Sequence, residues 1–403
     1  YVNKALELSS KVASNVYLDA ISKGLMGTLP ILIIGSIGCL LGVFPFDPYL
    51  QFIEKIGVKT YFLAASTVTT SCLSIYAAFL IGYRLAGSFK CDQIPAGLIS
   101  VFAFFITTPL TKDSGLMMEF MGAKGLFGAM IAALIATRIY CAFMNVDKLK
   151  IKMPEQVPPG VARAFEVLVP ATITLIITAC IGSACYNLTG LYLNDVIKNG
   201  IQGPLGAVGA TIPGVMIIYL VIMLFWLVGI HGNNMLSAVK EALFTPLALE
   251  NVEAFNKGET PKNIINMYFL QMCGEFGGSG VTIGLVIAIM IFGKREDNKA
   301  IASLSLIPGL FEINETVTFG IPFVLTSIVL EIVGYVLTVI GFCPVACLTV
   351  PWTTPPIVFG FLATGANVMG AVTQAILIVV STVIYTPFLI AYEKYQNKQA
   401  AEA

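Results

Sequence analysis

The residues able to do chemistry are few and gather in the second half of the chain. The single histidine, His231, stands in GIHGNNM at the end of an apolar run. A lone imidazole in such a place is often only a packed or interfacial side chain. Its neighbours argue for more: Gly232 permits close backbone approach, and the Asn233 and Asn234 amides offer donors and acceptors that a lipid-facing helix end does not use. FEINETVTFG carries Glu312 and Glu315 at i, i+3, neighbours on one face if the segment is helical. A carboxyl at membrane depth is costly unless it faces a cavity or a partner, so the pair marks a site unless it lies at a wet interface. CGEFGGSG, with Gly278 and Ser279, offers backbone amides to a polar ligand or, equally, a helix-packing face. Trp226 and Trp352, the only tryptophans, and Thr353 in PWTTPP flank these segments. Indole rings there fit either an interfacial belt or the apolar face of a sugar ring.

These groups sit in a chain of 403 residues that is 57% hydrophobic and 11% charged, against roughly 25% charged in soluble domains. Its mean hydropathy is +0.86. Apolar runs long enough to cross a bilayer recur along most of its length, which predicts an all-α, polytopic helical membrane protein and not a barrel. Zero net charge predicts no nucleic-acid partner. The nine cysteines are scattered without a CxxC pair and read as small membrane-core residues in a reducing compartment. No GxxxxGK[ST] loop, HExxH or Cys/His cluster occurs, so neither ATP hydrolysis nor a metal or other cofactor is expected. The mixed, polar first residues predict no cleavable signal peptide.

Spans are expected at Gly24 to Phe44, Tyr61 to Tyr83, Ile94 to Leu110, Gly125 to Met144 and Ala164 to Tyr186, then at Pro204 to Ile230, Ile264 to Phe292, Val317 to Gly341 and Gly370 to Tyr392. Between the later runs, His231 to Glu250, Ala300 to Thr316 and Val345 to Thr364 read as too polar or too broken for ordinary spans. Such segments are tolerated at depth only when protein covers them or they line a wet cavity, so re-entrant hairpins around a binding site are expected. Counting one crossing through His231 to Glu250 gives about ten transmembrane helices. With the N-terminus inside, most Lys and Arg, among them Arg84, Lys90, Arg138, Lys148, Lys150, Lys152, Arg163 and Arg295, fall on the cytoplasmic side. Only Lys55, Lys59, Lys112, Lys124 and Lys198 fall outside, and both termini are then cytoplasmic. The basic, proline-rich stretch Met144 to Arg163 suits a cytoplasmic loop, and a boundary after the fifth span divides the chain into 1–187 and 188–403.

GIHGNNM, GLFEINETVTFGIPFVL and VPWTTPPIVFGFLATG, together with SNVYLDAISKGLMGTLPILIIGSI near the start, resemble the IIC component of the bacterial sugar phosphotransferase system (PTS), in the lactose, cellobiose and diacetylchitobiose family. The resemblance covers nearly the whole chain. It implies about ten helices with re-entrant hairpins, an N-terminal half that makes a homodimer interface, and a C-terminal half that binds and moves the sugar. It also implies that His231 and Glu315 meet the sugar's C6 hydroxyl, Glu315 accepting its proton while His231 donates to the hydroxyl or the phosphoryl group. The phosphoryl donor would be a phosphocysteine on a separate cytoplasmic IIB subunit. Trp226, Gly232, Asn233, Asn234, Gly278, Ser279, Glu312, Trp352 and Thr353 are candidate sugar contacts by location. Two departures stand out: Glu312 and Thr316 replace residues usual around the glutamate in FNINEP-like motifs, and Thr326 and Ser327 replace a downstream Asn-Pro.

The expected function is therefore a permease in the bacterial cytoplasmic membrane, coupling uptake of a β-linked, cellobiose-type disaccharide to phosphorylation. A proton-coupled sugar symporter, with His231 and Glu315 carrying protons, is the alternative. An intramembrane glycosyltransferase or hydrolase would call for more acidic or metal-binding residues than the sequence has.

Overall fold

A computed structural model describes residues 15–44, 46–111, 115–154, 156–227, 231–314, 317 and 326–402. Glu315 and Thr316 lie outside the described residues. Apart from one isolated bridge, Leu110 to Leu116, regular structure among the described residues is helical. In chain order the helices are α1 (Val16–Val43), α2 (Asp47–Lys55), α3 (Lys59–Ser88), α4 (Gln93–Thr107), α5 (Ala123–Met144), α6 (Pro159–Thr189), α7 (Leu193–Gly209) and α8 (Ile212–Leu227). They continue with α9 (Gly232–Asn256), α10 (Ile283–Phe292), α11 (Glu296–Leu310), α12 (Thr326–Val339), α13 (Val358–Ala363) and α14 (Val368–Glu402).

Five of these, α1, α3, α5, α6 and α14, are long and apolar enough to cross a membrane, and α7 with α8 makes a sixth candidate bent by 80°. Three shorter apolar helices, α4, α10 and α12, accompany them. The chain is thus a polytopic all-α membrane protein, and the five apolar runs of its first half fall on α1, α3, α4, α5 and α6. One polar segment is instructive: His231 to Glu250, which looks too polar to span, forms the cap and most of the continuous 25-residue α9, about 38 Å long at 1.5 Å per residue. Its polar residues are spent on buried partners, described below.

Two compact units are present. One takes the described residues up to Gly35, Ala64–Gly206 and Glu241–Pro246. There α3, α4 and α5 pack through small residues: the Ser100 hydroxyl, buried, shares a 2.9 Å hydrogen bond with Thr137 across α4 and α5. Close approach through small side chains substitutes for a hydrophobic drive that lipid does not supply.

The second unit takes Ser36–Leu63, Ala207–Lys240 and Leu247–Ala403. In it α10 and α11 pack on α14 through Leu285, Val286, Ile289, Ala302, Tyr385 and Leu389. The run Ile264 to Phe292 does not continue as one helix. It breaks into a turn at Met267–Leu270, a π-helix at Gln271–Glu275 and a glycine loop before α10. Val345 to Thr364 likewise runs as irregular backbone into the short α13.

Backbone outside helices at such depth needs protein partners, and buried side-chain amides provide them. Gln374 of α14, wholly buried, accepts from the Ile357 and Gly360 amides at 2.8 and 2.6 Å and donates to the Met272 carbonyl at 3.1 Å. One side chain thereby holds both the start of α13 and the π-helix. Asn251 and Asn266 both donate to the Ala346 carbonyl at 3.1 Å. Replacing Gln374 with Leu preserves bulk and strands three backbone groups, each costing about 1 to 3 kcal/mol when buried and unpaired. We expect Gln374→Leu to lower the melting temperature of the detergent-solubilised protein sharply; an unchanged melting curve would show that other groups hold these segments.

Candidate functional site

The site is built where three pieces of the second unit meet: the start of α9, the glycine loop 277–282 and residues 312–314. His231 is the N-cap of α9, its Nδ1 accepting the Asn234 amide at 3.3 Å. With Nδ1 used as an acceptor, the neutral ring carries its proton on Nε2, on the far side of the imidazole. Trp226, buried at the end of α8, packs its indole on that ring, centroids 4.4 Å apart and inclined by 46°. The ring is thus fixed from both sides. Gly232 is required by close approach: any side chain there would collide with the Ile222 carbonyl of α8.

From the next position Asn233 donates its side-chain amide to the Ser279 hydroxyl at 2.8 Å, tying α9 to the glycine loop. The Asn233 Oδ1 atom is buried and has no hydrogen-bond partner among the described residues. Asn234, by contrast, is exposed and contributes its backbone amide to the cap.

The loop owes its shape to a run of reversed backbone: Gly277, Gly278, Gly280 and even Val281 have positive φ. At Gly278, φ is 89° and a methyl group would meet the Asn314 side chain, so only glycine serves. Side chains from three directions hold the loop. Asn314 donates to the Ser279 carbonyl and to the Thr282 hydroxyl, both at 2.8 Å. Ser327 of α12 accepts the Gly280 amide at 3.2 Å and donates to the Gly274 carbonyl at 2.6 Å. Tyr385 of α14 donates to the Gly280 carbonyl at 2.6 Å. Ser327, one of the departures noted in the sequence, is therefore a strut of this loop.

Glu312 has one carboxylate oxygen committed to the loop, accepting the Gly278 amide at 3.0 Å, from a backbone with φ of 68°. His231, Asn233, Gly278, Ser279 and Glu312 thus belong to one connected group, with Trp226 and Gly232 behind it. Glu315 lies outside the described residues. Trp352, 45% exposed, and half-buried Thr353 lie on the turn closed by the Thr354 amide and the Pro351 carbonyl. Neither makes a hydrogen bond or ring contact to the His231 group among the described residues.

Sequence reasoning passed over four ionisable residues beside this group. Lys240, two turns below Asn233 on α9, forms a buried ion pair with Glu275 of the π-helix. Glu331 of α12 and Tyr219 of α8 are buried over one side of Gly274 and face each other, Tyr219 also facing Glu275. Their signal was present: an ionisable residue inside an apolar run is a functional candidate by default. No group of three or more metal-binding side chains occurs among the described residues.

Long apolar helices, hydrogen-bonded irregular backbone and one polar group around a fixed imidazole define a multi-pass membrane protein with a polar site built among its helices. The chain belongs to the EIIC family of the sugar phosphotransferase system: the family described as "Phosphotransferase system, EIIC" matches residues 22–337. It is 33% identical to the lichenan permease IIC component of Bacillus subtilis, over 98% of this chain and 93% of that one. It is 29% identical to the cellobiose-specific EIIC component of Geobacillus stearothermophilus, over 99% and 94%. The crystal structure of ChbC, the IIC component of the N,N'-diacetylchitobiose-specific system, superposes with a TM-score of 0.91 at 32% identity, covering 98% of each chain.

The ion pair between α9 and the π-helix is open to direct test. Lys240→Met leaves the Glu275 carboxylate buried without its partner, a change that costs about 3 to 5 kcal/mol in buried pairs. We expect a large loss of thermal stability in Lys240→Met and recovery of most of it in Lys240→Met with Glu275→Gln. Equal stability of the single variant and the parent would show that the pair does not hold the loop.

Proposed function

We propose that this chain is the IIC permease for a β-linked disaccharide of the cellobiose type, and that it presents the sugar's C6 hydroxyl to a phosphorylated IIB protein. The observation that carries this reading is the His231 group. An imidazole held by its own helix start and by an indole has a fixed orientation, with Nε2–H as its donor. Beside it, the buried Asn233 Oδ1 is an acceptor awaiting a hydroxyl. One donor and one acceptor at fixed separation are what recognition of a sugar hydroxyl pair needs. The relatives' names, lichenan, oligo-β-mannoside and cellobiose, favour a β-linked substrate.

In this reading the C6 oxygen attacks the phosphorus of a phosphocysteine on IIB. The O–P bond forms, the S–P bond breaks, the thiolate leaves, and the hydroxyl proton passes to the Glu315 carboxylate. Catalysis is then positioning and charge stabilisation. Nε2–H and the positive end of the α9 dipole face the charge that develops. Glu312, with one oxygen held by Gly278, shapes the loop more than it meets the sugar. The phosphorylated sugar carries charge the site does not match, so release is inward and uptake irreversible. The N-terminal half serves as the homodimer interface in a cytoplasmic membrane with both termini inside.

Vesicles containing the purified protein test this. Labelled cellobiose is expected inside only as a 6-phosphate and only when phosphorylated IIB is supplied; free cellobiose accumulating on a proton gradient would make the protein a symporter. Glu315→Gln is expected to bind sugar normally and to form no sugar phosphate, and normal turnover would remove Glu315 from the proton-accepting role. His231→Ala is expected to weaken sugar binding roughly tenfold, the effect of about 1.4 kcal/mol. An unchanged isotherm would return His231 to a helix-capping role alone.

A further inference from the structure

The turn joining α3 to α4, in the first unit, is built in an unusual way. The Cys91 amide donates to the Ala86 carbonyl at 2.9 Å and the Lys90 amide to the Gly87 carbonyl at 3.1 Å. That is the double closure of a helix C-terminus in which the reversed residue is normally glycine. Here the reversed residue is Lys90, with φ of 56°. A cation is held where the backbone prefers no side chain at all.

Lys90 lines a cavity of about 390 Å³ together with Asp92, Met144, Arg163, Glu166 and Val167. The cavity lies where α3 and α5 end and α4 and α6 begin, one end of an antiparallel set of helices. Its lining carries two cations and two carboxylates, and their pairing is unequal. Glu166 is paired with Lys150 at 3.5 Å, whereas the Lys90 and Arg163 side chains make neither ion pair nor hydrogen bond among the described residues. Asp92, at the N-cap of α4, makes no capping bond. Arg138 adds a further positive charge nearby, lying over the Phe89 ring at 5.1 Å. The flanking helix surfaces are apolar and exposed, at Ile94 and Leu98 on α4 and at Phe165 and Leu168 on α6.

We propose that this cavity binds the headgroup of an anionic phospholipid with a hydroxylated head, of the phosphatidylglycerol class. The Arg163 fork and the Lys90 ammonium take the phosphodiester oxygens. The Asp92 carboxylate accepts a hydroxyl of the glycerol head, which explains an acidic residue in an anion site. Met144 and Val167 meet the glycerol backbone, and the acyl chains lie along the exposed faces of α4 and α6. Basic pockets between helices at the end of a membrane bundle suit headgroups in this way. A soluble anion would make no use of the apolar flanks. The inference is independent of the sugar site.

The test uses the full chain in detergent, with added phosphatidylglycerol, phosphatidylcholine or inorganic phosphate. Two variants accompany it: Lys90→Gly, which suits the reversed backbone and so keeps the fold, and Arg163→Gln. Phosphatidylglycerol alone is expected to raise the melting temperature of the parent and to remain bound in native mass spectra. Each substitution is expected to weaken its retention about fivefold, the worth of one cation at a membrane surface, and the double variant to lose the preference over phosphatidylcholine. Equal effects of the two lipids, or a preference undiminished in the double variant, would overturn the proposal. A shift reproduced by inorganic phosphate at the same concentration would also overturn it, because the occupant would then be a soluble anion.

Discussion

Backbone that leaves the helix inside a bilayer must find its hydrogen bonds within the protein, and the second unit of this chain is organised around that constraint. Its irregular stretches, the π-helix with its glycine loop and the segment leading into α13, have no water to fall back on. Their amides and carbonyls are met by Gln374, Asn251, Asn266, Asn314, Ser327 and Tyr385. All of these side chains but Asn314 lie on a helix or at its edge, and each reaches into a neighbouring segment. The polar residues of an otherwise apolar chain are thus concentrated where helices stop.

The site follows from the same arrangement. A glycine loop with successive reversed residues would be costly to fix in one shape if its polar groups were unpaired. Anchored by Asn314, Ser327 and Tyr385, it presents Ser279 to Asn233 and Gly278 to Glu312. Beside the loop, the start of α9 fixes the imidazole through its own cap and the Trp226 ring. Preorganisation of this kind matters for phosphoryl transfer, where the protein supplies mainly position and charge. Lys240 and Glu275 add a second tie between α9 and the π-helix, so helix and loop are joined at two levels.

Much of this was legible in the sequence. Runs such as Gly125 to Met144 and Ala164 to Tyr186 became helices because twenty apolar residues in lipid have no other way to pair their amides. GIHGNNM and CGEFGGSG were recognisable because glycine, asparagine and histidine are out of place on a lipid-facing surface. What the pattern hid was pairing at a distance. Lys240 made His231 to Glu250 look too polar to cross, and only the fold shows that its charge meets Glu275, 35 residues later. Glu331 disappeared into an apolar run because one carboxyl hardly alters a long average. Gln374, which holds three backbone groups of the irregular segments, looked like any polar residue in a span, since its partners lie 14 and more positions away. Trp226 fitted either an interfacial belt or a sugar face by its type alone, and the fold adds that its ring is buried against His231.

The central claim is that the clamped imidazole and the Asn233 amide oxygen form one recognition element for the hydroxymethyl end of a β-linked disaccharide. A structure of the protein with cellobiose bound tests it most directly. The account predicts the C6 oxygen within hydrogen-bonding distance of His231 Nε2 and a second sugar hydroxyl donating to Asn233 Oδ1. A sugar seated elsewhere, with both atoms turned from it, would contradict the account.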